Sequence, residues 1–154
     1  MGKEIFDSEQ KQNVQELFSL LNLPKNDVLS IHNADRLLEY LIENQKFICI
    51  NEPKNEYEAV NLFDTIIQLF RKADEDLPEY FDEPNICDDC EATEILEMLD
   101  EYYHFNEERE EKRIMILDNV RDRYVVCIIP ETQMDKVYTL SFQTGIPLVC
   151  IDEY

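Results

Sequence analysis

Glycine is nearly missing from this chain: Gly2 and Gly145 are the only two among 154 residues. A P-loop and a GxGxxG nucleotide turn each need several glycines, so that backbone amides can approach phosphate, and both classes are excluded. Tryptophan is absent. No apolar run approaches the length of a membrane span, and the opening MGKEIFDSEQ has no signal-peptide core. Phe6 stands where a myristoylation signal carries Ser or Thr. A cytoplasmic protein is expected. The five cysteines are an odd number, and Cys49, Cys127 and Cys150 fall inside apolar runs, where they read as small hydrophobes and not as a disulfide framework.

The most telling absence is of Lys and Arg between residues 73 and 108, where 15 acids carry the local net charge to −15. The flanking segments are close to neutral, −4 over residues 1–72 and −2 over 109–154, within a total of −21. The acidity is a local deposit on an otherwise ordinary chain. With 44% hydrophobic residues there is material for a core, and the length suits one domain over 1–154.

Periodicity predicts the elements. Val14, Leu17, Phe18 and Leu21 lie at helical spacing, with Asp7 or Ser8 as cap and Pro24 as stop. Asn33 caps a second helix carrying Leu37, Leu38 and Leu41. These make an N-terminal helical pair, 1–45, packed on 46–154. KFICIN predicts a buried strand. Asn55 and Glu58 have capping-box spacing at the head of a helix striped by Val60, Phe63, Ile67 and Phe70. Pro78 and Pro84 make 74–87 a loop. A second acidic stretch, 89–104, returns to helix, with Ile95, Met98, Leu99 and Tyr102 on one face. RIMILDNVRDRYVVCIIP reads as strand, turn, strand around 118–122; a helix follows, stopped by Gly145; IPLVCIDEY supplies a last strand. Strand–helix–strand over 124–151 predicts a parallel pair with a right-handed crossover. The expected fold is α/β: a mixed, mostly parallel sheet of about four strands with helices packed on it.

Candidate reactive groups are few. His32 and His104 are the only histidines, and no serine has nucleophile-elbow surroundings. CDDC places Cys87 and Cys90 at a spacing that grips zinc or forms a redox pair. There is no second CxxC; His104 is a candidate third ligand there, and His32 or a partner chain a fourth. Asp88, Asp89 and Glu91 disfavour a thiolate. Glu94, Glu97 and Glu101 share one side of the acidic helix and attract cations generally, but no EF-hand spacing is present. No cofactor and no enzymatic activity are expected. Direct nucleic-acid binding is opposed by the field of the acids, and Arg109, Lys112, Arg113, Arg121 and Arg123 are expected to pair with carboxylates beside them.

Charge on an ordered surface is either a solvated face or a match for a positive partner. Tyr80, Phe81, Tyr102, Tyr103 and Phe105 are interleaved with the acids, and aromatic residues are favoured at interface cores. The order ICIN, amphipathic helix, Leu77-Pro78-Glu79-Tyr80-Phe81 and acidic helix resembles barstar-type ribonuclease inhibitors over about residues 47–118. In that family an acidic helix after such a turn plugs a nuclease active site. The chain departs from the family in having no Tyr-Gly-x-Asn after the turn, no tryptophan, and an added N-terminal helical pair and hairpin. The resemblance implies an acidic helix and loop as an inhibitory surface. The expected function is a non-enzymatic binding protein, an immunity or anti-defence inhibitor masking a basic nuclease-like or nucleic-acid-binding partner. Asp82, Glu83, Asp88, Asp89, Glu94, Glu97 and Glu101 are its expected charges, and Tyr80 and Tyr103 its apolar anchors. The alternatives are a small metal- or thiol-dependent enzyme or regulatory domain using Cys87, Cys90 and His104, and a stand-alone domain whose acidic face is only solvated.

Overall fold

The computed structural model describes residues 3–75, 77, 91–105 and 110–154. Helix α1 is Ser8–Leu20. The Asp7 carboxylate accepts the Gln10 amide at 2.8 Å, and the Gln10 side chain accepts the Asp7 amide at 3.0 Å, so two otherwise orphan donors are satisfied reciprocally. The helix ends before Asn22, whose φ of 57° lies in the left-handed region, and the Leu23 amide returns to the Phe18 carbonyl at 2.9 Å. A 3-10 turn, Lys25–Ser30, leads to α2, Ala34–Glu43, whose cap Asn33 accepts the Arg36 amide at 2.8 Å. Phe18 of α1 stacks on Tyr40 of α2 with ring centroids 5.1 Å apart.

Strand β1 is Ile48–Asn51, β2 is Lys112–Leu117, β3 is Arg123–Pro130 and β4 is Leu148–Cys150. They form one sheet in the order β1-β3-β2-β4, and every neighbouring pair is antiparallel. This corrects the expectation of a mostly parallel sheet. β3 and β4 do point the same way, but β2 inserts between them, pairing Ile116 with Val126 on one side and with Val149 on the other. The helix joining β3 to β4, α6 at Met134–Gln143, therefore crosses over a strand instead of linking two neighbours. β1 and β2 are likewise separated by β3.

Helices cover both faces of the sheet. On one side α1, α2 and α6 pack through Phe18, Leu37, Leu41 and Val137 onto Met115, Leu117, Val125, Cys127 and Ile129. On the other, Ile66, Ile67 and Phe70, with Ile95, Leu96 and Leu99, pack onto Ile48, Ile50, Ile114, Ile116 and Val126. Each strand alternates its side chains between the two layers, so both sets are apolar. No helix among the described residues is long and apolar enough to cross a membrane.

The helix expected from Asn55 is divided at Asn61 into α3, Glu56–Val60, and α4, Leu62–Ala73. Asn55 does cap it, accepting the Glu58 amide at 2.9 Å. The break re-aims the apolar stripe: Leu62, Ile66, Ile67 and Phe70 are buried, Val60 is exposed and Phe63 only lines the core. Gly145 ends α6 with φ +82°, and a Cβ there would stand 2.9 Å from the Cβ of Ala34 on α2. Gly145→Ala is expected to lower stability by about 1–3 kcal/mol, combining left-handed strain with overpacking; the urea midpoint measures it.

Candidate functional site

Helix α5, Ala92–His104, carries the second half of the acidic segment. Glu91 caps it, and its own amide donates to Glu94 Oε1 at 3.2 Å, so Glu94 helps to start the helix. Glu91 and Glu94 also place negative charge at the positive end of the helix dipole. Ala92, Ile95, Leu96, Leu99 and Tyr103 form the buried stripe. Glu94, Glu97 and Glu101, at i, i+3 and i+7, line up on the exposed side.

Tyr103, expected as an apolar anchor for a partner, is instead a core residue, 2% exposed, whose hydroxyl donates to Asp74 Oδ2 at 3.0 Å. It lies four residues beyond Leu99, on the stripe itself. The exposed aromatic of this region is the next residue but one, Phe105, 72% exposed and packed edge-on against the His104 ring at 4.5 Å. Tyr80, Asp82, Glu83, Asp88 and Asp89 lie outside the described residues, as do Cys87 and Cys90.

What fixes the helix to the sheet is a charge pair that sequence reasoning did not single out. Asp100 is among the few buried charged residues described. Arg113 of β2 grips it with both arms: Nε donates to Oδ1 at 3.0 Å and a terminal nitrogen to Oδ2 at 2.8 Å. The Ile114 amide, just past the stretch that β4 pairs, donates to the same carboxylate at 2.7 Å. Asp100 thus substitutes for a strand neighbour where β4 has ended. Its hydrogen bonds hold the guanidinium proton still more firmly than usual, against the opposing effect of burial. Asp152 adds a second carboxylate 3.5 Å from Arg113. The expectation that Arg113 pairs with nearby acids is met.

Between Glu97, Glu101 and Phe105 on one side and Arg113 and Asp152 on the other lies a cleft of about 460 Å³. Among the described residues that line it, the one guanidinium is engaged by Asp100 and Asp152, and the carboxylates of α5 set its character.

At the end of α5, His104 meets two carboxylates. Glu111 and Glu131 extend the β2–β3 ladder by one step beyond the Lys112–Pro130 pair, with the Glu131 amide donating to the Glu111 carbonyl at 3.0 Å. His104 Nδ1 stands 3.6 Å from Glu131 Oε1. A hydrogen bond to the Glu131 side chain, and then the repulsion between the two carboxylates, push the Glu111 carboxyl above its ordinary range, while His104 pulls it down. The ligand atoms of His104, Glu111 and Glu131 all lie within 4.8 Å of one another. This grouping escaped sequence reasoning because it joins residues far apart in the chain; the signal available was the single His104.

Comparison with models of protein families, with curated proteins and with solved structures found no match to this chain.

Proposed function

We propose that the chain is a non-enzymatic acidic binding protein, an immunity or anti-defence inhibitor that occupies the basic cleft of a nuclease-like or nucleic-acid-binding partner. The observation that carries this reading is the row Glu94, Glu97 and Glu101, exposed on a helix whose other side is locked into the core. Carboxylates on a fixed helix keep a defined spacing, and they can stand in for backbone phosphates in a positive groove without a backbone ordering cost at the moment of binding. Phe105 supplies the apolar contact that charge alone lacks. Asp82, Glu83, Asp88 and Asp89, with Tyr80, are the further contact residues of this proposal and lie outside the described residues. Long-range attraction to a basic target raises the association rate and makes it sensitive to salt.

The test is capture from a lysate of the native host on the immobilised chain, at about 50 mM and about 500 mM salt, which spans strong to weak screening. A basic protein is expected, retained at low salt and released at high salt. Adding the free chain should block its binding or cleavage of nucleic acid. Glu97→Lys with Glu101→Lys should weaken capture by at least about tenfold, since like charges then face each other. Capture indifferent to both salt and charge reversal, or a captured protein with no nucleic-acid activity to block, rejects the proposal.

A further inference from the structure

Glu111 and Glu131 face each other across the end of the β2–β3 ladder. Like charges directly opposite on paired strands are destabilising. Into this pair points a third donor. His104 Nδ1 is shielded from solvent and has no hydrogen-bond partner among the described residues, which is unfavourable for a polar nitrogen. Its 3.6 Å separation from Glu131 Oε1 is too long for a hydrogen bond. It is close to the edge of a tetrahedron around a zinc-sized ion, about 3.4 Å for bonds of about 2.1 Å. All three donors fall within 4.8 Å of one another, so small side-chain rotations bring them onto one centre.

We propose that His104, Glu111 and Glu131 form a binding site for a divalent transition metal of the zinc type. One imidazole and two carboxylates are an ordinary donor set for zinc, leaving a further position for water or an incoming ligand. The imidazole argues against calcium and magnesium, which take oxygen donors. The ion removes the repulsion between the glutamates and gives the buried nitrogen its partner. It also ties together the end of α5, the start of β2 and the exit of β3. The site goes beyond the binding role proposed above and does not depend on it: a chain with no basic partner still binds the metal if the geometry is right.

The experiment uses the whole chain, stripped with chelator, with Cys87→Ser and Cys90→Ser introduced so that the CxxC pair contributes nothing. Zinc chloride is titrated by calorimetry in excess magnesium, which occupies indiscriminate carboxylates. One equivalent is expected, with micromolar or tighter affinity and a rise in Tm. His104→Ala and Glu131→Gln should each weaken it at least tenfold, and Glu111→Gln, altering an exposed side chain, serves if either of them fails to fold. Glu16→Gln, on the exposed side of α1, should leave binding unchanged. Cobalt(II) should give the absorption of a four-coordinate site, lost in His104→Ala. No saturable equivalent in the chain without the CxxC pair, or one that survives the His104 and glutamate substitutions, overturns the proposal.

Discussion

Asp100→Ala is expected to lower the unfolding free energy by about 3–5 kcal/mol, the usual result of removing one partner of a buried ion pair. The side chains concerned are only 7% exposed for Asp100 and 17% for Arg113, so water replaces the lost carboxylate only in part. Two donors of Arg113 and the Ile114 amide lose their acceptor together. Against a net stability of about 5–15 kcal/mol for a domain, the variant sits near the edge of folding. Asp100→Asn keeps an acceptor for the Ile114 amide but removes the charge, and should fall between. Asp100→Leu combined with Arg113→Met should recover part of the loss, because an apolar pair of similar volume has no desolvation penalty, while the Ile114 amide still lacks its acceptor. Denaturant unfolding followed by circular dichroism measures all three; a loss under about 1 kcal/mol in Asp100→Ala would show the pair to be solvated like a surface bridge.

The fold should also fail steeply in alkali. Burial pushes the Cys127 thiol up to about 12 from an ordinary 9.0, with a hydrogen bond from the Met115 backbone acting in the other direction. Burial and then the hydrogen bond to Asp27 push the Tyr40 hydroxyl to about 12 from 10.0. A hydrogen bond to Glu52, followed by burial, does the same to Tyr124. Each group is neutral in the folded chain at a pH where the unfolded chain has lost the proton. The unfolded state then binds fewer protons, so stability falls as pH rises. The loss begins near pH 9 with the thiol, deepens above 10 with the tyrosines and is complete near 12. For Cys127 alone, roughly three pKa units at about 1.4 kcal/mol each correspond to about 4 kcal/mol. Cys127→Ala should lower stability at neutral pH through the cavity it leaves, and flatten the decline between pH 9 and 12 by about 1.4 kcal/mol per pH unit, one proton's worth. An unchanged slope in that variant would mean that the thiol ionises as freely in the fold as outside it.

Local features were the legible ones. Asp7, Asn33 and Asn55 announce helix starts because a short polar side chain before an apolar period has one main use, and each caps as expected. Gly145 announces a stop for the same kind of reason. Sheet order was not legible. The runs in 113–117 and 124–129 are apolar because helices cover both faces, and burial on two sides looks the same whichever way a strand points. The stripe on α5 was read one position off at Met98 and Tyr102, which only border the core, so Tyr103 was assigned to the surface it does not reach. Asp100 was hidden among so many carboxylates that the buried one carried no mark in the sequence. Glu111 and Glu131 became neighbours only through the register of β2 on β3.

The sheet order bears on how the protein is made. β1 is locked in register with β3, Ile48 against Val126, roughly 80 residues later in the chain. On a ribosome, the first strand therefore emerges and waits through the whole synthesis of the acidic region before its partner exists. Closing so long a loop is entropically demanding and slows folding. A nascent chain stalled before residue 123 holds helices α1 to α5 and two strands, β1 and β2, that do not pair with each other, a state in which Ile48 and Ile50 have no sheet to join. Dense like charge in the intervening segment keeps such chains apart while they wait.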